Sequence, residues 1–224
     1  MVRRRVAGGS KINLPLTPGN FLLNNGMEII PINVNDNNRN NVIGYILDDS
    51  GDYSGKYIII PINSSSVYMS WSLDSGPGYT DIHGLTNYEY NIGSIEPYED
   101  KNGKSNTKII VDYVNSQGGN IENDVPATNY CINFSPGFKD GEWYLPSMGE
   151  LKLFYDNRKK FREDCKIAGI STNMNSDDTG AYYFWSSTQY SDRRAWFLTF
   201  YSYDHSRFYD KINYIYIIPF LVIN

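Results

Sequence analysis

Two histidines, two cysteines and a short run of aspartates are the residues best equipped for chemistry in this sequence. His83 lies in Ile82-His83-Gly84-Leu85 and His205 in Tyr203-Asp204-His205-Ser206, far apart and outside any metal or nucleophile motif. Cys131 and Cys165 stand 34 residues apart, in no C-x-x-C pair and near no histidine. That spacing argues against zinc and dithiol redox chemistry. Two readings of the cysteines stay open: buried thiols acting as small hydrophobes, which is favoured, or a disulfide. Asp48, Asp49 and Asp52 could hold calcium, but they lack the alternating ligands of an EF-hand and read as a solvated turn. Gly76-Pro77-Gly78 is a turn, and no G-x-S-x-G, H-E-x-x-H, P-loop or G-x-G-x-x-G occurs. No convergent acid, base and nucleophile can be assembled. The sequence therefore points away from an enzyme and implies no cofactor and no metal.

Binding chemistry is better represented. Tyr, Phe and Trp make up 15% of the 224 residues, and 14 of them fall between Tyr182 and Tyr216. Phe184, Trp185, Trp196, Phe197, Leu198 and Phe200 lie in near-continuous apolar runs, the pattern of strands buried on both faces. Tyr201–Tyr209 (YSYDHSRFY) differs: Tyr, Ser, Asp, His and Arg alternate with no apolar face, as in a loop or hairpin tip. Tyr and Arg give large contact area with few rotors, and Ser gives adaptable hydrogen bonds. The net charge of −5 and pI near 5.0 exclude an extended nucleic-acid footprint. No apolar run reaches 18 residues, so no membrane-spanning segment is predicted, and no signal peptide is visible after Met1–Val6.

These residues need a scaffold, and the rest of the chain supplies one. Residues 1–20 read as an N-terminal arm or linker, and residues 21–224 as one ligand-binding domain. Phe21-Leu22-Leu23, Asn24-Asn25-Gly26 and Met27–Ile32 form a hairpin signal. Val42–Leu47, Tyr57–Ile62 and Val67–Leu73 are β-rich runs, and residues 33–41, rich in Asn, form a solvated loop. Residues 75–103 are irregular over a length that is uncommon unless functional or packed by its own aromatics. Ile109, Ile110, Tyr113 and Val114 predict a helix capped by Ser105 or Asn106 and stopped at Gly118-Gly119. Ser147 and Glu150 form a capping box, followed by Leu151, Phe154 and Tyr155 on one helical face. A further helical segment at 158–168 carries RKKFREDCK, a solvated face. Tyr182–Thr188, Ala195–Tyr201, Arg207–Ile212 and Tyr214–Ile223 predict four closing strands, with Pro219 requiring an edge or bulge. Strands, helices and strands again indicate an α+β fold.

Several of these pieces carry a resemblance. Trp143-Tyr144-Leu145-Pro146-Ser147 with Glu150-Leu151, then Phe184-Trp185-Ser186-Ser187-Thr188, Ala195-Trp196 and Lys211…Tyr214…Pro219-Phe220 occur in this order. The pattern resembles the Lcl-type C-type-lectin-like domain of Bacteroidetes surface and phage proteins, over about residues 20–223. The resemblance implies two or three helices around a small twisted antiparallel sheet with long irregular loops. It further implies kinship with variable proteins diversified by retroelements, whose ligand surface is formed by C-terminal strands and loops. Carried onto this chain, the surface comprises Tyr190, Asp192, Arg193, Arg194, Tyr201, Tyr203, Asp204, His205, Arg207 and Tyr209. Adenine-directed mutagenesis of Asn codons yields residues of the kinds found in 201–209. The chain has Glu96-Pro97-Tyr98 and no Trp-Asn-Asp, so calcium-dependent sugar binding is not implied.

The expectation is a non-enzymatic adhesin or receptor-binding protein, displayed outside the cell or on a virion. It would bind a protein or glycan, with oligomerisation compatible and no nucleic-acid partner. Two rivals are a formylglycine-generating type of enzyme, which needs Cys131 and Cys165 close together in a cleft, and a structural module of a fibre or pilus.

Overall fold

The computed structural model describes residues 15–47, 57–62, 67–136, 142–172, 182–200 and 205–223. The strands are β1 (Phe21–Leu23), β2 (Glu28–Ile29), β3 (Val42–Ile46), β4 (Tyr57–Pro61), β5 (Val67–Ser70), β6 (Trp143–Tyr144), β7 (Tyr183–Gln189), β8 (Arg194–Thr199), β9 (Ser206–Asp210), β10 (Tyr214–Ile217) and β11 (Phe220–Ile223). The helices are α1 (Gly103–Ser116), α2 (Ile121–Asp124), α3 (Pro126–Ile132) and α4 (Met148–Ile167). The architecture is α+β.

The strands form two sheets instead of the single small one expected. One has the order β2-β1-β3-β4-β11-β6, the other β5-β10-β7-β8-β9. Pairing is antiparallel except between β10 and β7, which run parallel at Tyr216 and Phe184. The predicted strand Tyr214–Ile223 is in fact two strands, one in each sheet. Pro219 sits between them. Lacking an N–H, it cannot continue a ladder, and here the break lets the chain pass from one sheet to the other.

Helix α4 is one continuous helix of 20 residues, where the sequence suggested two segments. It starts at the predicted capping box: Ser147 N donates to Glu150 Oε2 at 2.8 Å, and the reciprocal bond to the N3 backbone is also made. Gly169, with φ of +62°, follows its end, as left-handed helix termini require. Lys159, Lys160, Glu163 and Lys166 of the charged run face water, while Phe161, Asp164 and Cys165 turn inward. Helix α1 begins earlier than expected, at Gly103, because Asn106 is not a cap. Its side chain donates to Asp100 Oδ2 (2.8 Å) and Ser187 Oγ (3.3 Å). Helices α2 and α3 were not anticipated, although Asn120 caps the first and Pro126 opens the second.

Three apolar clusters hold the layers together. Leu151, Phe154 and Phe161 of α4 pack against Phe21, Tyr45, Ile58, Ile60 and Phe220 of the first sheet and Phe184, Trp196 and Leu198 of the second. Helices α1 and α3 cover the other face of the second sheet, joining Ile110, Val114 and Cys131 to Trp185, Phe197 and Ile215. The outer face of the first sheet buries Leu22, Ile46, Ile59 and Leu221 with Leu16 and Trp143. Ile58 and Ile60 therefore point one way and Ile59 the other. That is why Tyr57–Ile62 reads as an uninterrupted apolar run. Leu16 and Asn20 are buried, so packed chain begins within the stretch read as an arm, before residue 21. Among the described residues, no helix is long and apolar enough to cross a membrane.

Candidate functional site

The signature residues form the base of the site. Thr188 Oγ1 accepts from the Met148 amide (2.9 Å) and donates to Asp100 Oδ2 (2.7 Å). Ser187 N donates to Pro146 O (2.7 Å), and Ser186 Oγ to Trp196 O (2.7 Å). Trp71 Nε1 donates to Ser186 O (2.8 Å), and Leu145 and Thr107 exchange backbone and hydroxyl bonds of 3.0 and 3.2 Å. Glu150, fully buried, accepts from Ser147 and from Tyr144 Oη (2.7 Å). Burial raises its carboxyl pKa to about 7 against these bonds, which favour the ionised form. Both motifs thus serve to tie the starts of α1 and α4 to the central strand β7.

Beyond this base, strand pairing distributes the predicted ligand residues. Trp196 pairs with Phe208, Phe197 with Arg207 and Ala195 with Tyr209. Alternation then separates them into two groups. On the α4 side, Tyr190 stacks on Phe208 with centroids 3.9 Å apart, Arg194 lies 5.5 Å from the same ring, and Trp196 meets it edge-on at 5.4 Å. On the opposite side, Tyr183, Phe197 and Tyr209 form a row across β7, β8 and β9, with T-shaped contacts at 5.8 and 6.4 Å. Tyr209 is 52% and Tyr183 37% exposed, while Phe197 beneath them is buried. Arg207 shares their face. One predicted surface is therefore two, on opposite sides of an edge strand.

Asp192, Arg193 and Arg194 are exposed at the turn joining β7 to β8. Tyr190 N and Ser191 N both donate to Arg194 O, at 3.0 and 3.1 Å. Arg193 lies 5.8 Å from the Tyr79 ring, whose hydroxyl donates to Asp210 Oδ2 (3.0 Å). The long segment after β5 packs against this turn and the β9 edge: Tyr88 N donates to Gln189 O, and Gly93 N to Ser206 O. Tyr79 and Tyr183 were missed from sequence, the first lost in an aperiodic stretch and the second read only as part of the strand Tyr182–Thr188. Lys211 was missed too, and it lies wholly buried beneath the turn.

The other candidates fall elsewhere. His205 is half-buried, its ring centroid 4.1 Å from that of Tyr155 and its Nδ1 3.2 Å from Thr199 O. Residues 206–209 of the stretch expected as a loop or hairpin tip lie in β9, and Ser206 is buried. Tyr201, Tyr203 and Asp204 lie outside the described residues, as do Asp48, Asp49 and Asp52. His83 is exposed on the long loop. Cys131 and Cys165 are free thiols buried in separate clusters. Burial raises the pKa of both, Cys165 to about 12, which disfavours the reactive thiolate.

No family model matches the chain, and no curated protein matches it. Among solved structures it is similar to a fimbrial protein from Bacteroides ovatus ATCC 8483, with a TM-score of 0.63 at 16% identity. The match covers 93% of this chain and 49% of that one, so the chain spans about half the neighbour's length. At this identity the likeness concerns the fold.

Proposed function

We propose that this chain is a non-enzymatic ligand-binding domain with a C-type-lectin-like fold, displayed at a cell surface or on a virion. It recognises a protein or glycan through the β7–β8 turn and the β9 edge. The observation that carries this reading is the aromatic row Tyr183–Phe197–Tyr209, with Arg207 on the same face. Rigid strands hold these rings, so binding them costs little side-chain entropy. Asp192, Arg193 and Arg194 add charge at the rim, where it governs orientation and encounter more than affinity. The buried, separated thiols speak against the formylglycine-generating alternative. The exposed residues Asp192, Arg193, Arg194 and Tyr209 are positions at which retroelement diversification would alter the surface and spare the core.

Glycan arrays and a panel of cell-surface proteins, probed with the wild type and with Tyr209→Ala, Tyr183→Ala and Arg207→Ala, test the reading. Central aromatic or Arg anchors cost about 2 kcal/mol or more on truncation, roughly 30-fold in affinity. Full binding by all three variants would remove the basis for the site. The fimbrial neighbour favours a second reading, a fibre subunit in which the same face packs on the next copy. Sedimentation separates the two: concentration-dependent assembly abolished by Tyr209→Ala supports the fibre.

A further inference from the structure

Lys211 is fully buried, which is rare for lysine unless its charge is met. Its Nζ donates to Gln189 Oε1 (2.7 Å), Thr80 O (2.8 Å) and Asp192 O (2.8 Å), with Gly78 O at 3.3 Å. The Trp71 ring lies 4.6 Å away, completing a cation–π contact. The Lys211 backbone joins the same segments. Its carbonyl accepts from Trp71 N and Ser72 N at 2.9 and 3.0 Å, and its amide donates to Arg193 O at 2.9 Å. The neighbouring carboxylates stand one step back. Asp81 accepts from Gln189 Nε2 (2.8 Å), and Asp210 from Tyr79.

An ammonium inside a shell of oxygens does what a bound cation would do in a loop-rich site: it draws several carbonyls to one point. Here the cation is covalently part of the chain. Three of its four acceptors are main-chain carbonyls, at positions 78, 80 and 192. The side chains at 80 and 192 can therefore change without removing a bond to Lys211. We propose that Lys211 is a positioning residue that fixes the backbone of the loops presenting Tyr79, Asp192 and Arg193, independently of the side chains they carry. The clamp rests on the binding reading above only for its purpose, since its geometry stands without any ligand.

Hydrogen exchange on the full chain tests the clamp. Lys211→Met, which keeps the bulk and removes the donors, should lower protection of residues 71–82 and 189–193 by about 100-fold, with α4 unchanged. Thr80→Ala and Arg193→Ala should each stay within about threefold of wild type. Unchanged protection in Lys211→Met, or an equal loss in either of the other two, overturns the proposal. A measurement on the wild type serves if Lys211→Met fails to fold. The Lys211 ammonium should give a slowly exchanging 1H–15N signal at about pH 5.5, below the value of about 7 to which burial lowers its pKa, identified by its proximity to the Trp71 ring. A fast-exchanging ammonium overturns the clamp. Native loop protection without any ligand found would sink the binding reading and leave the clamp standing; lost side-chain independence with binding intact would do the reverse.

Discussion

Replacing Thr188 by Val tests whether the shared motifs act as a polar lock. Thr188 is wholly buried, and Val matches its shape while removing the hydroxyl. Two bonds disappear, from the Met148 amide and to the Asp100 carboxylate. The Met148 amide lies in the first turn of α4, where no intrahelical acceptor exists, so it is left unpaired at a cost of about 1–3 kcal/mol. Asp100 keeps bonds from Asn106 and Asn102 but loses a third donor, worth about 1.5–3 kcal/mol because the acceptor is charged. Together these predict a loss of about 3–5 kcal/mol, a large share of the roughly 5–15 kcal/mol typical of a domain. For a chain of this size that lowers Tm by about 10 °C. Thr188→Ser keeps the hydroxyl and removes one methyl, so it should cost only about 1 kcal/mol. Urea unfolding followed by tryptophan fluorescence, with calorimetry for Tm, measures both. A Thr188→Val loss below 1 kcal/mol, or equal losses for the two variants, would show that packing and not hydrogen bonding joins the motifs.

Glu150 makes stability depend on pH. Its folded pKa of about 7 exceeds the unfolded value of 4.5, so its contribution is complete below 4.5 and is lost as pH rises through 7. Wild type should therefore lose about 3 kcal/mol relative to Glu150→Gln between pH 4.5 and 8, and a pH-independent difference in denaturation midpoints would contradict this. Gly103→Ala should destabilise by about 3 kcal/mol or more in the same assay, because its Cβ would overlap the Glu150 carboxylate and lie 2.6 Å from Ser147 N. Both cysteines should resist a thiol-specific dye until the chain unfolds, and rapid labelling of the native protein would show that their burial is wrong.

How much was legible in the sequence depended on the range of the interaction. The capping box, the α1 stripe and the closing strands are local, and they lie close to where the residues indicate. Helices α2 and α3 also carried local marks, Asn120 and Pro126, but short helices lack the periodicity that makes a longer one visible. The surface was less legible, because an alternating strand presents every second residue to the other side. Which side each residue of 205–209 faces is set by its pairing with β8, a long-range fact. Lys211 was least legible of all. It stands in the closing motif, but its burial is tolerable because of Gln189 Oε1, the Trp71 ring and the carbonyls at 78, 80 and 192, which come together only in the fold.

The division between buried signature and exposed edge bears on how far a resemblance reaches. Leu145, Ser147, Glu150, Trp185, Ser186, Ser187, Thr188 and Trp196 are all buried. Their hydrogen bonds run to one another and to neighbouring scaffold groups such as Thr107, Asp100 and Asn106. A relative sharing these residues must therefore share the junction of α1, α4 and β7, but is free to differ at Tyr183, Asp192, Arg193, Arg207 and Tyr209. The motifs transfer architecture. Recognition has to be argued from side chains the motifs do not contain, which is why the tests of binding above act on the β7–β8 turn and the β9 edge and leave the lock untouched.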